Sequence, residues 1–359
     1  MISDLSMNQT KKITVLIVDD SSTYRQFLRD ALSTDERVEV VSIASNGRLA
    51  LPRVRHYRPD FVILDHEMPE MTGIEALREI RHLHPAGKVI MFSSHTTEGA
   101  RITIEALKEG AVDFVTKPDT GGRETPVEYI RRKLLSRIIE LAEAVETVAP
   151  ARPAAVKPHE LARTDALPAS FDVAAIGIST GGPVALRKLF QNFVRPPRGA
   201  LLIVQHMPPV FTRQLAESLQ AESNIPTVEA VDGMKIEPGT AYIAPGGFHL
   251  ALERKADGVY ARILDTEPEN SCKPSVDVLF RHVAEVYRGR AVGIIMTGMG
   301  HDGHKGMIEM KKVGCYLIAQ SRETCLVYGM PSRPTEEKLV QESLSIEDIA
   351  ARIRFLLGD

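Results

Sequence analysis

The chain contains no tryptophan and only three cysteines in 359 residues. Cys272, Cys315 and Cys325 are an odd number, and no Cys-x-x-Cys pair occurs. A disulfide framework and a zinc-ribbon site are therefore not expected, and all three read as reduced packing residues of a cytosolic protein. Long apolar runs are also missing, so no membrane span is expected. The opening residues, Met1-Ile-Ser-Asp-Leu-Ser6, carry an acid and lack a signal-peptide core. These absences point to the cytoplasm. No charge sign dominates: 44 basic residues against 47 acidic ones leave a formal charge of -3. Nothing in that balance favours nucleic acid or an anionic membrane as partner. What is present is an ordinary soluble composition with enough chain for two cores.

The most informative stretch is Phe171 to Pro183. An apolar run enters Gly177-Ile178-Ser179-Thr180-Gly181, and Gly182-Pro183 opens a helical pattern. Strand, glycine turn and helix start put Ser179 at the C-terminal edge of a sheet, where open α/β sheets carry their sites. Gly-x-Ser-x-Gly in that context is a nucleophile-elbow pattern, with the serine oxygen exposed and helix-start amides near it. A phosphate-cradling loop is the alternative reading. The full Gly-x-Gly-x-x-Gly and Walker spacings are both absent.

From Ile13 to Lys117, five short apolar runs alternate with amphipathic stretches. That pattern predicts a five-stranded parallel, doubly wound sheet. Asp19 and Asp20 end the first run, Asp65 the third, Ser93 and Ser94 the fourth, and Lys117-Pro118 the fifth. Three converging carboxylates require a hard cation between them, and oxygen ligands with room for water suit Mg²⁺. A hydroxyl and an ammonium beside them suit phosphoryl transfer to Asp65. Acids that merely cap helices are the plainer reading.

Residues 11 to about 140 resemble a response-regulator receiver domain, with its flavodoxin-like fold. The matching motifs are Val18-Asp19-Asp20-Ser21, Leu64-Asp65-His66-Glu67-Met68-Pro69, Ser93-Ser94 and Phe114-Val115-Thr116-Lys117-Pro118. The resemblance implies Asp65 as phosphoacceptor. It implies Mg²⁺ on Asp19, Asp20, Asp65 and the Glu67 backbone carbonyl. Ser93, Lys117 and Phe114 fall at the switch positions, and a histidine kinase is the implied phosphodonor. His66 and Phe114 stand where other residues are frequent.

Pro126 to about Val145 reads as one long amphipathic helix, with Leu134, Leu135, Ile138, Ile139 and Leu141 as its packing side. Residues 141–169 are placed as an interdomain linker, because the stretch turns rich in alanine and proline. Residues 170–359 form the second domain. Five apolar runs alternate with helical text there, and Gly246 to Asp265 reads as a small hairpin turning at Asp257-Gly258.

Three strands of this domain end in polar punctuation: Ser179, then Gln205-His206-Met207-Pro208, then Thr297-Gly298-Met299-Gly300-His301-Asp302-Gly303. Serine, histidine and aspartate at one sheet edge allow acyl transfer, with His206 as base and Asp302 fixing the imidazole. The order Ser, His, Asp matches no familiar hydrolase. A hydrolase-order rival would use Asp277 with His301 or His304, but Asp277 lies inside a helical pattern.

This region resembles the catalytic domain of the chemotaxis protein-glutamate methylesterases. The match rests on the motifs above together with Ala244-Pro245-Gly246 and Pro274-Ser275-Val276-Asp277. The resemblance implies Ser179 as nucleophile, His206 and Asp302 as partners, and the Thr180 and Met299 amides as oxyanion donors. It also implies demethylation of glutamate γ-methyl esters on chemoreceptor signalling helices, deamidation of receptor glutamines, and no cofactor for the esterase step. A receiver ahead of the hydrolase implies control through phosphorylation of Asp65. Cys272-Lys273 depart from the family pattern and are expected to stay clear of the triad. A dead hydrolase fold serving only as an interaction module, or a general esterase, are the competing classes.

Overall fold

A computed structural model describes residues 11–118, 124–146 and 171–358. Contacts divide the chain into two units after Glu143. The first unit has strands β1 Ile13–Val18, β2 Val38–Ala44, β3 Phe61–Asp65, β4 Lys88–Ser93 and β5 Asp113–Thr116. They pair in parallel in the order β2-β1-β3-β4-β5. That order is the flavodoxin-like one. Helices α1 Ser22–Leu32, α2 Gly47–Tyr57, α3 Gly73–Leu83 and α4 Thr97–Lys108 lie between them. The central strands are buried on both faces, and their Val, Ile, Leu and Phe runs suit that place. Each of these helices starts at a Ser, Asn or Thr whose side chain accepts from a first-turn amide: Ser21, Asn46, Thr72 and Thr96.

The long helix after β5 is continuous but not uniform. It runs as α5 Pro126–Ile130, a π-helical turn Arg131–Leu135 and α6 Ser136–Glu146. Leu134, Leu135, Ile138 and Leu141 are buried, whereas Ile139 is only half-buried. The helix thus extends through the first residues placed as linker; residues 147–169 lie outside the described ones.

The second unit carries a seven-stranded sheet in the order β14-β13-β12-β6-β7-β9-β8. Its strands are β6 Val173–Ile178, β7 Ala200–Gln205, β8 Thr227–Glu229, β9 Ala241–Ile243, β12 Ala291–Ile295, β13 Tyr316–Gln320 and β14 Glu342–Leu344. All pair in parallel. The two edge strands, β8 and β14, are absent from the sequence reading because Thr-Val-Glu and Glu-Ser-Leu contain no apolar run. Between β9 and β12 the antiparallel hairpin β10 His249–Lys255 and β11 Gly258–Leu264 forms its own sheet. Its turn residues are Ala256 and Asp257, since Gly258 already pairs with Lys255. The turn is therefore one residue earlier than expected.

The helices are α7 Gly182–Gln191, α8 Phe211–Glu222, α9 Val276–Tyr287, α10 His304–Lys312, α11 Ser332–Glu336 and α12 Ile346–Leu357. Here capping differs from the first unit. None of α7, α8, α9 and α10 is capped by the side chain of the residue before it. Their first-turn amides are left for other partners at the sheet edge. Among the described residues no helix is long and apolar enough to cross a membrane.

Gly246 fixes the loop after β7. A Cβ at this position would stand 2.3 Å from the Pro208 carbonyl carbon and 2.4 Å from Pro209 N. Both are backbone atoms and cannot swing aside. Gly246→Ala is expected to lower stability by about 1–3 kcal/mol, the usual size for overpacking. A thermal-unfolding midpoint equal to that of the parent chain would show that the loop yields freely.

Candidate functional site

In the second unit, chain order reverses between β6 and β12, which makes their C-terminal ends a topological switch point. Ser179 follows β6 and Thr297–Asp302 follow β12. His206 follows β7, whose Gln205 pairs with Ile178. Ser179 and His206 are thus next-door residues on adjacent strand ends. The Ser179 amide donates to the Thr297 carbonyl at 3.0 Å, and the Gln205 side chain donates to the Ser179 carbonyl at 3.0 Å. Gly298 allows this approach: a Cβ there would lie 2.7 Å from Ser179 Cβ.

One feature of the serine turn differs from expectation. Ser179 is buried, with 7 % of its surface exposed. The left-handed residue is Gly181, φ 74°, and not the serine itself. Strain therefore sits where no Cβ resists it.

Asp302 is the best-held side chain of the site. Its Oδ1 accepts from Asn270 Nδ2 at 2.8 Å, Ser275 Oγ at 2.8 Å, and the amides of Asp277 and Gly303 at 3.2 and 3.1 Å. Its Oδ2 accepts from the Val276 amide at 2.7 Å and meets His206 Nε2 at 2.8 Å. Val276 and Asp277 open α9, so Asp302 supplies the cap that Ser275 does not. Burial alone would raise the Asp302 pKa. The His206 contact, the Val276 amide and Asn270 outweigh it and bring the carboxyl down to about 2. Burial likewise pushes the His206 imidazole down, but Asp302 and Cys272 together carry it up to about 9.

With Nε2 committed to Asp302, the nitrogen left for chemistry is Nδ1. The Cys272 sulfur stands 3.6 Å from it. This corrects two expectations: Cys272 is not a remote packing residue, and it does touch the proposed triad. Among the described residues no hydrogen bond joins Ser179 Oγ to the ring. Catalytic contacts of this kind commonly tighten only when substrate binds.

The rival pairing of Asp277 with His301 or His304 does not form. Asp277 accepts from the Gly306 amide and from Asn270, while His304 Nε2 pairs with Glu337 at 2.7 Å. The Thr180 and Met299 amides lie on the loops that flank Ser179. Neither donates to another group among the described residues.

In the first unit the switch point lies between β1 and β3. Ligand oxygens of Asp19, Asp20 and Asp65 gather within 4.8 Å of one another. Lys117 Nζ donates to Asp65 Oδ2 at 2.7 Å and stands 3.1 Å from Asp19 Oδ2. The latter contact lacks hydrogen-bond alignment, so Asp19 Oδ2 is a buried oxygen without a hydrogen-bond partner. Burial first, and the neighbouring Asp65 charge second, raise the Asp19 pKa to about 6. An all-oxygen donor set with an orphaned carboxylate oxygen fits a hard divalent cation.

Asp65 itself is held below the usual carboxylate range: burial opposes this, but His66 and Lys117 outweigh burial. The His66 ring is fully buried, 3.4 Å from Asp65 Oδ1 and 3.3 Å from Glu67 Oε1. Ser93 Oγ bonds Thr103 Oγ1 on α4 at 2.5 Å. Phe114 is buried. The Glu67 side chain is exposed and its amide lies 3.4 Å from Asp65 Oδ1.

Sequence reasoning gave no site role to Asn270, Ser275, Cys272 or Thr103. Asn270 and Ser275 carried a faint signal, as polar residues on either side of Lys273-Pro274. Thr103 carried none.

Two family models match the chain: CheB methylesterase over residues 174–353, and response regulator receiver domain over residues 15–123. A protein-glutamate methylesterase/protein-glutamine glutaminase of Trichodesmium erythraeum is 39% identical over 350 residues, covering 97% of this chain and 99% of that protein. A protein of the same description from Pectobacterium atrosepticum is 41% identical, covering 95% of this chain and 96% of that one. The crystal structure of the Thermotoga maritima CheB methylesterase catalytic domain shares 37% identity at a TM-score of 0.51, covering 52% of this chain and 99% of that one. Similarity runs through both units, and the chain belongs to the CheB methylesterase family, with a response-regulator receiver domain ahead of the esterase domain.

Proposed function

We propose that the chain hydrolyses glutamate γ-methyl esters on chemoreceptor signalling helices, with Ser179 as nucleophile. The observation that carries this reading is the His206–Asp302 pair at the same sheet edge as the serine. His206 Nδ1 takes the Ser179 proton as Oγ bonds to the ester carbon. The same proton passes to the leaving methoxide, which departs as methanol. Water then attacks the acyl-serine, and His206 relays its proton back to Ser179. The Thr180 and Met299 amides face the oxygen that becomes negative. A receptor glutamine follows the same path, with ammonia leaving. Apart from the attacking water, each step uses groups of the protein. Cys272 shares Nδ1 with the serine and must give way to it.

The receiver supplies control. Asp65 accepts the phosphoryl group from a histidine kinase. Asp19, Asp20, Asp65 and the Glu67 carbonyl would hold Mg²⁺, which neutralises charge on the transferred group. The phosphoryl group brings up to about two negative charges beside Lys117 and Ser93. Ser93 then exchanges Thr103 for the phosphate, and α4 follows it.

Ser179→Ala is expected to cut methanol release from methylated receptor membranes by roughly four to six powers of ten. Near-normal release would remove Ser179 from the mechanism.

The base form of His206 is gained as pH rises through about 9. The kcat/KM for ester hydrolysis should therefore climb with pH and level off above that value. Asp302→Asn removes a group that raises the imidazole pKa. The midpoint should move to lower pH while the plateau falls, and a midpoint that stays or rises contradicts the assignment.

Asp65→Asn should abolish labelling by acetyl phosphate and, with it, acetyl-phosphate stimulation of the esterase. Stimulation that persists in this variant would place control elsewhere.

A further inference from the structure

The turn that carries Cys272 is unusual backbone. Asn270 and Ser271 both adopt left-handed conformations, φ 53° and 59°. Glu269 and Cys272 exchange both backbone hydrogen bonds across them, at 3.1 and 2.9 Å. Two successive left-handed residues closed in this way make a type I′ turn. Serine adopts that conformation only where its surroundings impose it. They do so from two sides: Asn270 bonds Asp302 and Asp277, and Arg281 grips Glu269 through two contacts of 2.8 and 2.6 Å. Cys272 therefore reaches His206 on fixed backbone.

The 3.6 Å between Cys272 Sγ and His206 Nδ1 suits a weak thiol hydrogen bond. It is also the separation of two ligands on a tetrahedral zinc ion. Bonds of about 2.3 Å to sulfur and about 2.0–2.1 Å to nitrogen, at a tetrahedral angle, put the two atoms about 3.6 Å apart. Behind the ring, Asp302 holds Nε2, the carboxylate–histidine arrangement typical of metal-bound imidazoles. Ligand atoms of His206, Cys272 and Asp302 all lie within 4.8 Å of one another. Both His206 and Cys272 are half-buried and not sealed off, so an ion and its waters can reach them.

We propose that His206 Nδ1 and Cys272 Sγ form a binding site for a thiophilic divalent cation, Zn²⁺ foremost, and that the bound ion silences the esterase. Cys272 releases its thiol proton, and the imidazolium its Nδ1 proton, to solvent as the Zn–S and Zn–N bonds form. The Nδ1 lone pair that would take the Ser179 proton is donated to the metal instead. Two waters complete the tetrahedron, and Asp302 stays on Nε2. The silencing rests on the proposed role of His206; the site rests on geometry alone. The other thiols are poor competitors. Cys315 is buried and donates to the Arg288 carbonyl, and burial pushes the Cys315 and Cys325 thiols up to about 12.

Co²⁺ added to the tag-free full chain, with Mg²⁺ in excess to fill the receiver carboxylates, tests the site. A thiolate-to-cobalt charge-transfer band should appear, saturate at one ion per chain, and be erased by Zn²⁺. It should be absent in Cys272→Ala and in the closer-fitting Cys272→Ser, which serves if the alanine chain does not fold. The Zn²⁺ concentration that halves ester hydrolysis should rise at least about tenfold in either variant, the lower end of what metal sites lose on far milder changes. No band in the parent chain, or one that survives both substitutions, overturns the site. A band without inhibition overturns the silencing and leaves the site. An esterase-inactive chain would sink the functional reading alone, because the spectrum needs no turnover.

Discussion

The esterase unit depends on one anion placed at one helix end. Asp302 leaves β12 and caps α9, a helix whose own N-cap serine points at that carboxylate. Caps and helix-end charges each stabilise by about 1 kcal/mol. Here several donors converge, and they keep the carboxyl ionised down to about pH 2. The same charge holds His206 by Nε2 and raises its basicity. The end of α9 and the His206 ring therefore share a single counter-ion. Asn270 and Gly303 bring two loops to it as well. A residue that looks like a third triad member in the sequence is also the knot that ties β12, α9 and the 269–272 turn together.

Both units place their chemistry by the same rule. Each has a parallel sheet whose order reverses beside its first strand, and each collects polar residues at that reversal. The receiver gathers three acids and a lysine there; the esterase gathers serine, histidine and aspartate. Helix caps mark the difference. In the receiver, Ser21, Asn46, Thr72 and Thr96 satisfy their own helices. In the esterase, α7 to α10 begin without such caps; the first amides of α9 serve Asp302, and the Gly306 amide of α10 serves Asp277.

Much of this was legible because apolar strands that end abruptly in polar residues announce a sheet edge. Asp19, Asp65, Lys117, Ser179 and His206 stand one or two residues past such a run, and Asp302 stands further along the loop that follows Met296. The burial of Ser179 was not legible, since it depends on how the 297–303 loop packs over the turn. Cys272 was misread because its turn uses Asn270 and Ser271 without a glycine to signal left-handed backbone. It meets His206 from 66 residues away, a distance that no local pattern spans. Thr103 was missed because a threonine inside a helix looks like any surface polar residue until Ser93 is seen bonded to it.

The account turns on His206 being a strongly basic ring anchored through Nε2. Nitrogen NMR of selectively labelled histidine, followed against pH in the resting enzyme, reads this directly. The account predicts that Nδ1 is the titrating nitrogen, with a midpoint near 9, while Nε2 keeps its proton throughout. A midpoint at the ordinary imidazole value of about 6.5, or loss of the proton from Nε2, would contradict it.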